Sequence, residues 1–469
     1  MLHWYRHGLL AALVIATGFG CSNRQAPTSW EEISEPAAES ESALNARTRP
    51  VRVPQRLMII GTIDGELVGR VSRDAIFTDR LIADVGGPEK LRLLVVPAAS
   101  GSPAWLADYL RQVLALRGIS KSQVELAHIA SVDDETTPNV DESTWNEGAY
   151  RRSELAKLER ANVVMFAGGD QNRLVSLLRS ADGRDSPFHA ALKEKFAAHG
   201  VIIAGYSAGA AVFSDPMIGN GTSFGALSLP PSSDPGCNED DKICITPGLG
   251  FLPSDLGVMI DQHFAQQGRF ARLVRALALT GRPTGIGVEI DTALYIDMST
   301  RQAEIVGDPS GANVTIIGRT SAEANHERPE LPFVGDNYEV SVLRTGDVYA
   351  LPDANHVHGV ATHLEPSEVY APFSAYYGTP PILTDAFGNM VLPEKVTQWF
   401  ADGAPQASGA RVDTIAFVAN EQGAASGFRL RFTAADESTV AWNEDMGYSM
   451  FSARLGISTI SAQFVGLGP

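Results

Sequence analysis

Short apolar runs that each end in turn residues recur five times in the first half of the chain. They are LMIIG (57–61), LRLLVVP (91–97), VELAHIA (124–130), NVVMFAGG (162–169) and VIIAG (201–205). Helical patterns with one apolar face lie between them, at residues 104–117, 171–180 and 188–198. Buried strands that alternate with amphipathic helices predict a three-layer α/β fold, with helices on both faces of a parallel sheet. Ligands of such sheets bind at the carboxyl ends of the strands.

The other segments divide the chain into further predicted regions. Within residues 1–21, Arg6 and His7 precede an apolar run at 9–16. This order is typical of an export signal, and the run is too short to span a bilayer. Residues 22–50 are rich in Ser, Glu, Ala and Pro and predict a flexible acidic linker. We expect the α/β domain over residues 51–365, with a loop insertion at 228–247, and a β-rich extension of unknown role over 366–469.

The three cysteines agree with export. Cys21 lies in GFGCS, which resembles a bacterial lipoprotein cleavage site, although Gly18 stands where Leu is usual. We therefore expect an exported, periplasmic or cell-surface protein with a lipid anchor on Cys21. Cys237 and Cys244 form an even pair, which predicts a disulfide that closes a small loop. A metal site is the alternative, but no histidine lies nearby, so we expect neither metal nor cofactor.

The charge balance narrows the classes of partner. The formal net charge is −18 at pH 7, whereas a nucleic-acid-binding protein needs a basic face, so we expect no nucleic-acid partner. An acidic protein tolerates, and could steer, a cationic substrate. The simpler explanation is that the charge keeps an exported protein in solution.

The sharpest chemical signal is VIIAGYSAGAAVF at residues 201–213. An apolar strand leads into Gly-Tyr-Ser-Ala-Gly and then into small residues suited to the start of a helix. This order is typical of a nucleophile elbow, in which glycines allow a sharp turn and the hydroxyl of Ser207 projects from the strand end. The backbone N–H of Ala208, at the helix start, is suited to an oxyanion. The alternative is that Ser207 only caps the helix.

A nucleophilic serine needs a base, and His263 is the best-placed candidate. It follows the apolar run of GVMIDQHF (257–264), so we expect it at the same sheet edge as Ser207. Taken alone, His263 is equally well explained as a structural histidine. A further strand ends in FAGGDQNRL (166–174), where the N–H groups of Gly168 and Gly169 are suited to an oxyanion hole or to a carboxylate.

These motifs, in this order, resemble the cyanophycinase-like family of serine peptidases. The matching segments cover roughly residues 56–350 and are RLMIIG, VVPAAS, GGDQ, GYSAGA, PGLGFL, DQHF with the arginines that follow it, and GIGVEIDTAL. The resemblance implies a class-I-glutamine-amidotransferase-like α/β fold and a Ser–His–Glu arrangement that cleaves bonds at aspartyl residues. Cyanophycinase itself degrades cyanophycin, a polyaspartate with arginine on its side chains, to β-aspartyl-arginine.

The resemblance also implies roles for single residues. The family serine and histidine fall on Ser207 and His263. The residues implied to bind substrate are Asp170, Gln171, Asp261, Gln262, Arg269 and Arg272. Two of three family arginines are kept, since Gln267 replaces the first, and guanidinium groups bind aspartate carboxylates bidentately. Solvated charges at a helix start are the alternative. Relatives are often dimers, so a homodimer is a further expectation.

The chain departs from the family pattern at two positions. Tyr206 replaces a small residue, and Ile290 occupies the position of the family glutamate, between Glu289 and Asp291. Neighbours on a strand point to opposite faces, so neither acid simply replaces the glutamate. Four explanations stay open: a bulge that brings in Glu289, another carboxylate, a Ser–His dyad, or lost activity.

We therefore expect an exported serine peptidase that hydrolyses cyanophycin or related β-aspartyl peptides, with Ser207 as nucleophile, His263 as base and an acyl-enzyme intermediate on Ser207. Ile290 favours a second hypothesis, a catalytically impaired lipoprotein that binds peptide in the inherited cleft. A third is an α/β-hydrolase-type esterase with the same elbow, in which His358 or His363 would be the base.

Overall fold

The computed structural model describes most of the chain beyond residue 51. The described residues are 52–62, 67–137, 139–307, 313–320, 332–363, 368–369, 383–384, 411–419, 425–443 and 447–460. The expected export signal, the lipid-anchor position Cys21 and the linker lie outside them.

Eight α-helices and twenty strands occur among the described residues. The helices are α1 (Leu67–Asp84), α2 (Trp105–Ala115), α3 (Arg152–Arg160), α4 (Gln171–Leu178), α5 (Pro187–Ala197), α6 (Ala208–Ala211), α7 (Ser223–Ser228) and α8 (Phe270–Thr280). The strands are β1 (Arg56–Ile60), β2 (Leu93–Val96), β3 (Val124–Leu126), β4 (Val163–Phe166), β5 (Ile202–Tyr206), β6 (Met217–Asn220), β7 (Cys244–Thr246), β8 (Val258–Gln262), β9 (Thr284–Val288), β10 (Thr292–Asp297), β11 (Gln302–Gly307), β12 (Asn313–Arg319), β13 (Gly335–Arg344), β14 (Asp347–Ala350), β15 (Val360–His363), β16 (Glu368–Val369), β17 (Leu383–Thr384), β18 (Arg411–Ala419), β19 (Ala425–Asn443) and β20 (Gly447–Ile460).

The predicted parallel sheet is present. The five apolar runs form β1 to β5, which lie in the order β1-β5-β4-β2-β3 and pair parallel throughout. Antiparallel strands β10, β11, β14 and β15 extend this sheet beyond β1. The three helical patterns form α2, α4 and α5. The α/β class and its parallel-rich central sheet are therefore confirmed.

Side chains alternate between two apolar cores along β1. Leu57 and Ile59 belong to a core that also contains residues of α3, α4 and α5. Met58 and Ile60 belong to a second core, which includes Phe77 of α1 and residues of α2. This alternation follows from the two-residue period of a strand and requires helices on both faces. Each large apolar side chain buried in this way contributes about 1.5–3 kcal/mol of transfer free energy.

A second sheet carries the expected base. Its strands follow the order β17-β18-β19-β20-β13-β12-β9-β8, and β16 pairs with β19. The β-rich C-terminal region is thus present, and through the β20–β13 pairing it is continuous with the sheet that contains β8 and β9. This pairing crosses the expected boundary at residue 365, because β13 offers an unpaired edge that β20 can complete.

The segment predicted as an insertion at 228–247 is mostly loop, but it ends in β7, which pairs antiparallel with β6. None of the helices among the described residues has the length and apolar character needed to span a bilayer.

Candidate active site

Ser207 occupies a sharp turn between β5 and α6. Its φ and ψ are 54° and −123°, a region that non-glycine residues rarely adopt. The backbone N–H of Ser207 donates to the carbonyl oxygens of Ile60 and Gly61 at the end of β1, at 3.1 and 3.2 Å. Strain of this kind is kept only where the surrounding structure fixes it, and it directs the hydroxyl away from the strand.

His263 meets this hydroxyl from the other sheet. It follows β8 directly, and its Nε2 lies 2.8 Å from Ser207 Oγ. His263 also has a positive φ, 49°. Burial is the main cause that lowers the pKa of His263 to about 4, and the nearby Arg269 guanidinium lowers it further. The imidazole is therefore neutral at pH 7, which a group that accepts a hydroxyl proton must be.

The other nitrogen of the imidazole contacts an amide. Nδ1 of His263 lies 3.0 Å from Oε1 of Gln266, three residues further along the chain. Sequence reasoning missed Gln266, although it lies within the matched segment between DQHF and the arginines. The one available signal was its spacing from His263, which places it in the same turn.

Glu289 acts on the backbone beside the base. Its side chain is fully buried, and both carboxylate oxygens accept the N–H of Ala265, at 2.9 and 2.7 Å. Ala265 lies two residues after His263, so Glu289 fixes the turn that follows the base. Ile290, at the family glutamate position, pairs with Thr62 in an isolated parallel bridge.

Of the two glycines predicted for the oxyanion hole, Gly168 adjoins Ser207 and Gly169 adjoins Ala99. A Cβ built on Gly168 would lie 3.0 Å from Ser207 Cβ and 3.4 Å from its Oγ. Gly169 has φ 137°, and a Cβ there would lie 2.0 Å from the carbonyl oxygen of Ala99. Gly169 therefore requires glycine, and Gly168 leaves room for its backbone to approach the Ser207 hydroxyl closely. Ala208 begins α6, and the first N–H groups of a helix have no acceptor within it.

Asp170 and Gln171 stabilise the helix that follows these glycines. Asp170 caps α4 by accepting the N–H groups of Asn172 and Arg173. Gln171 Nε2 donates to the carbonyl oxygens of Ile218 and Gly219 in β6, at 3.1 and 2.8 Å. In this structure the Gln171 amide thus joins α4 to β6, beside the insertion.

Asp261, Gln262 and the two arginines form a buried polar group behind His263. Asp261 accepts both Nε and Nη2 of Arg272, at 2.7 and 2.6 Å, which is a bidentate ion pair. Arg272 also donates to the carbonyl oxygen of Gly221. Arg269 donates to the carbonyl oxygen of Gln262 at 2.7 Å, and burial lowers its pKa to about 9. Nε, Nη1 and Nη2 of Arg272 thus all have protein acceptors. Arg269, which also lies 3.5 Å from a carboxylate oxygen of Asp261, is half-buried near His263.

The predicted disulfide is present between Cys237 and Cys244. Both residues are buried, and the side chain of Asn220 in β6 donates to the carbonyl oxygen of Cys237 at 3.0 Å. The disulfide loop is therefore attached to the strand that Gln171 contacts. In the described part of the chain, no group of three or more His, Cys, Asp or Glu side chains is arranged to hold a metal ion.

Comparisons with known proteins give the family. The model of peptidase family S51 matches residues 70–303. Cyanophycinase of Trichormus variabilis is 26% identical over 312 residues, which are 66% of this chain and 91% of the relative. Cyanophycinase of Geminocystis herdmanii is 30% identical over 195 residues, which are 41% of this chain and 63% of the relative. A crystal structure of a peptidase from an acI-B1 actinobacterium aligns with a TM-score of 0.39 at 20% identity, over 57% of this chain and 92% of that one.

Proposed function

Because the chain belongs to the cyanophycinase-like peptidases of family S51, we propose that it hydrolyses peptides with Ser207 as nucleophile and His263 as general base. The observation that carries the proposal is the 2.8 Å distance between Ser207 Oγ and His263 Nε2. A serine hydroxyl becomes an effective nucleophile only where an adjacent base can take its proton.

The reaction would proceed through an acyl-enzyme. Nε2 of His263 takes the proton of Ser207 as Oγ bonds to the substrate carbonyl carbon, and the carbonyl oxygen becomes an oxyanion. The N–H of Ala208 and those of Gly168 and Gly169 are the candidate donors to that oxyanion. His263 then gives its proton to the leaving amine as the carbon–nitrogen bond breaks. Water, deprotonated by the same imidazole, releases the acid and restores Ser207.

We infer cyanophycin or a related β-aspartyl peptide as the substrate. The relatives are cyanophycinases, and the half-buried guanidinium of Arg269 beside His263 suits an aspartate carboxylate. Arg272 would support the site indirectly, since its bidentate pair with Asp261 already occupies its guanidinium. Export, with a lipid on Cys21, remains part of the proposal.

The proposal is tested first with a fluorophosphonate probe that labels activated serines. Wild type should be labelled, Ser207→Ala should lose labelling, and product release should fall by at least about 10⁴-fold. Ser176→Ala is the matched control, because Ser176 is exposed on α4. Labelling of wild type that persists in Ser207→Ala would refute Ser207 as nucleophile.

A substrate panel tests the second part. Wild type and Ser207→Ala are incubated with cyanophycin and with simple β-aspartyl dipeptides. A product from wild type alone supports the substrate class. If neither substrate gives a product while probe labelling is intact, the proposed substrate class is refuted but the proposed hydrolase activity is not.

Two alternatives remain for comparison. Ile290 at the glutamate position favours a peptide-binding protein of impaired activity, and absent probe labelling of wild type would support it. The esterase alternative required His358 or His363 as base. His358 lies against Gly318 in the second sheet, where a Cβ on Gly318 would be 2.6 Å from its ring, so the contact between His263 and Ser207 argues against that alternative.

A further inference from the structure

Both nitrogens of the His263 imidazole face neutral oxygen atoms. Nε2 lies 2.8 Å from the Ser207 hydroxyl, and Nδ1 lies 3.0 Å from the amide oxygen of Gln266. An amide oxygen can only accept a hydrogen bond. The contact with Gln266 therefore keeps the proton on Nδ1 and leaves the lone pair of Nε2 directed at the hydroxyl, which is the tautomer that a general base needs.

The carboxylates near the base are engaged elsewhere. Both oxygens of Glu289 accept the N–H of Ala265. Both oxygens of Asp261 accept the guanidinium of Arg272. The family glutamate position holds Ile290, whose side chain cannot accept a hydrogen bond. Gln266 is thus the side chain that the structure places on Nδ1.

We propose that Gln266 is the positioning residue of His263, in the role that the family pattern gives to a glutamate. This inference rests on the proposed function. Peptidases with a Cys–His–Asn arrangement show that a side-chain amide can orient a catalytic imidazole.

The neutral amide has a distinct chemical consequence. A carboxylate both orients the ring and stabilises the imidazolium through its charge, whereas a neutral amide orients the ring and raises the pKa of His263 only through its hydrogen bond, by less than burial lowers it. The charged groups around the ring are Arg269 and Arg272, which lower the pKa of His263, and Asp261, which raises it. Since burial has the largest effect and lowers this pKa to about 4, His263 is a weak base that works from mildly acidic pH upward.

The test changes Gln266 in two ways. Gln266→Leu removes the acceptor at similar volume, and we expect the rate of fluorophosphonate labelling at Ser207 to fall by about 10²- to 10⁴-fold. Gln266→Glu restores an acceptor and adds a negative charge at Nδ1. The pKa of His263 should then rise by about 1–3 units, and the acid limb of labelling should move to higher pH by the same amount. Gln112→Glu, the same change at an exposed position of α2, is the matched control.

A second readout does not depend on activity. The imidazole of His263 is titrated by NMR in wild type, Gln266→Glu and Gln112→Glu, and its nitrogen shifts report the tautomer. A proton on Nδ1 and a pKa raised only in Gln266→Glu support the inference. A proton on Nε2, or a titration of Gln266→Glu identical to that of Gln112→Glu, overturns it. If wild type is not labelled at any pH, the proposed function fails, while the titration still decides the role of Gln266.

Discussion

At the scale of single residues, the site combines two strained backbones. Ser207 and His263 both have positive φ, 54° and 49°, although neither is glycine. Each such conformation costs of order 1–3 kcal/mol and persists because the surroundings fix it. Ser207 is fixed by β1 through its N–H, and the turn after His263 is fixed by Glu289. The positions of these two side chains therefore depend on contacts that hold the backbone in conformations which serine and histidine do not favour.

Gly169, which follows the glycine beside the Ser207 hydroxyl, should be equally constrained. Gly169→Ala places a Cβ 2.0 Å from the carbonyl oxygen of Ala99 at φ 137°, so we expect a loss of at least about 2 kcal/mol in the free energy of unfolding. Gly101→Ala is the control, because nothing lies within 4 Å of its Cβ, and it should stay within about 0.5 kcal/mol. Urea unfolding of both variants measures the difference. Equal stability would contradict the close backbone approach.

Sequence motifs located Ser207 and His263 but not Gln266. The strand before Ser207 and the apolar run before His263 both predict a position at a strand end, and the structure brings the two side chains together. Gln266 could not be predicted, because its role depends on a side-chain direction within a turn and on the positive φ of His263. The role of Glu289 was equally hidden, since its partner is a backbone N–H rather than a ring.

At the scale of elements, the C-terminal strands complete the apolar core next to the segment that carries His263. Phe428, Leu430 and Phe432 of β19 and Leu455 of β20 belong to the same apolar core as Phe264 and Phe270. The rings of Phe432 and Phe270 have centroids 5.7 Å apart in an edge-to-face arrangement. Phe264 directly follows His263, so the packing of β19 supports the segment that presents the base.

Truncation of this aromatic contact should therefore destabilise the chain. Phe432 is fully buried, and we expect Phe432→Ala to cost about 3–5 kcal/mol in the free energy of unfolding, measured with denaturant. Ser458→Ala on β20 is the control, because Ser458 is exposed. A cost for Phe432→Ala no larger than that of the control would mean that the C-terminal strands contribute little to this core.

The period of the apolar pattern predicted where the strands and helices occur better than it predicted which strands share a sheet. The five parallel strands and helices α2, α4 and α5 follow directly from local periodicity. The second sheet was not predicted, because a short apolar run in β8 is the same signal whichever sheet it joins. Its partners β12, β13 and β20 are distant in sequence, so the pairing depends on tertiary contacts that one sequence does not reveal.

At the scale of the whole molecule, two buried histidines link stability to pH. His189 of α5 is fully buried, and although Nδ1 lies 3.0 Å from Asp185, burial lowers its pKa to about 4. The pKa of His263 is lowered to about 4 in the same way. In the unfolded chain both would titrate near the ordinary value of about 6.5. Between pH 6.5 and 4 the unfolded chain therefore binds more protons than the folded one.

Stability should accordingly fall as the pH falls through this window. The stability that depends on the two neutral histidines is fully present above pH 6.5. At pH 5 the free energy of unfolding should be lower by about 2 kcal/mol for each histidine. Urea unfolding at pH 7.5, 6 and 5 measures the slope. His189→Gln removes one titrating group and should reduce the slope. A stability that is constant or rises between pH 7.5 and 5 would contradict neutral burial of these side chains.

The proposed nucleophile and base belong to separate sheets, Ser207 to the one built on β1–β5 and His263 to the one built on β8 and β9. The distance between Ser207 Oγ and His263 Nε2 therefore depends on how the two sheets pack against each other, and not on either sheet alone. A shift of about 1 Å between the two sheets would separate the two side chains while every strand stays intact. Misplacement of reacting groups by that distance can reduce a rate by about 10²-fold. We therefore expect mild heating to lower the rate of the proposed reaction before the strands themselves unfold.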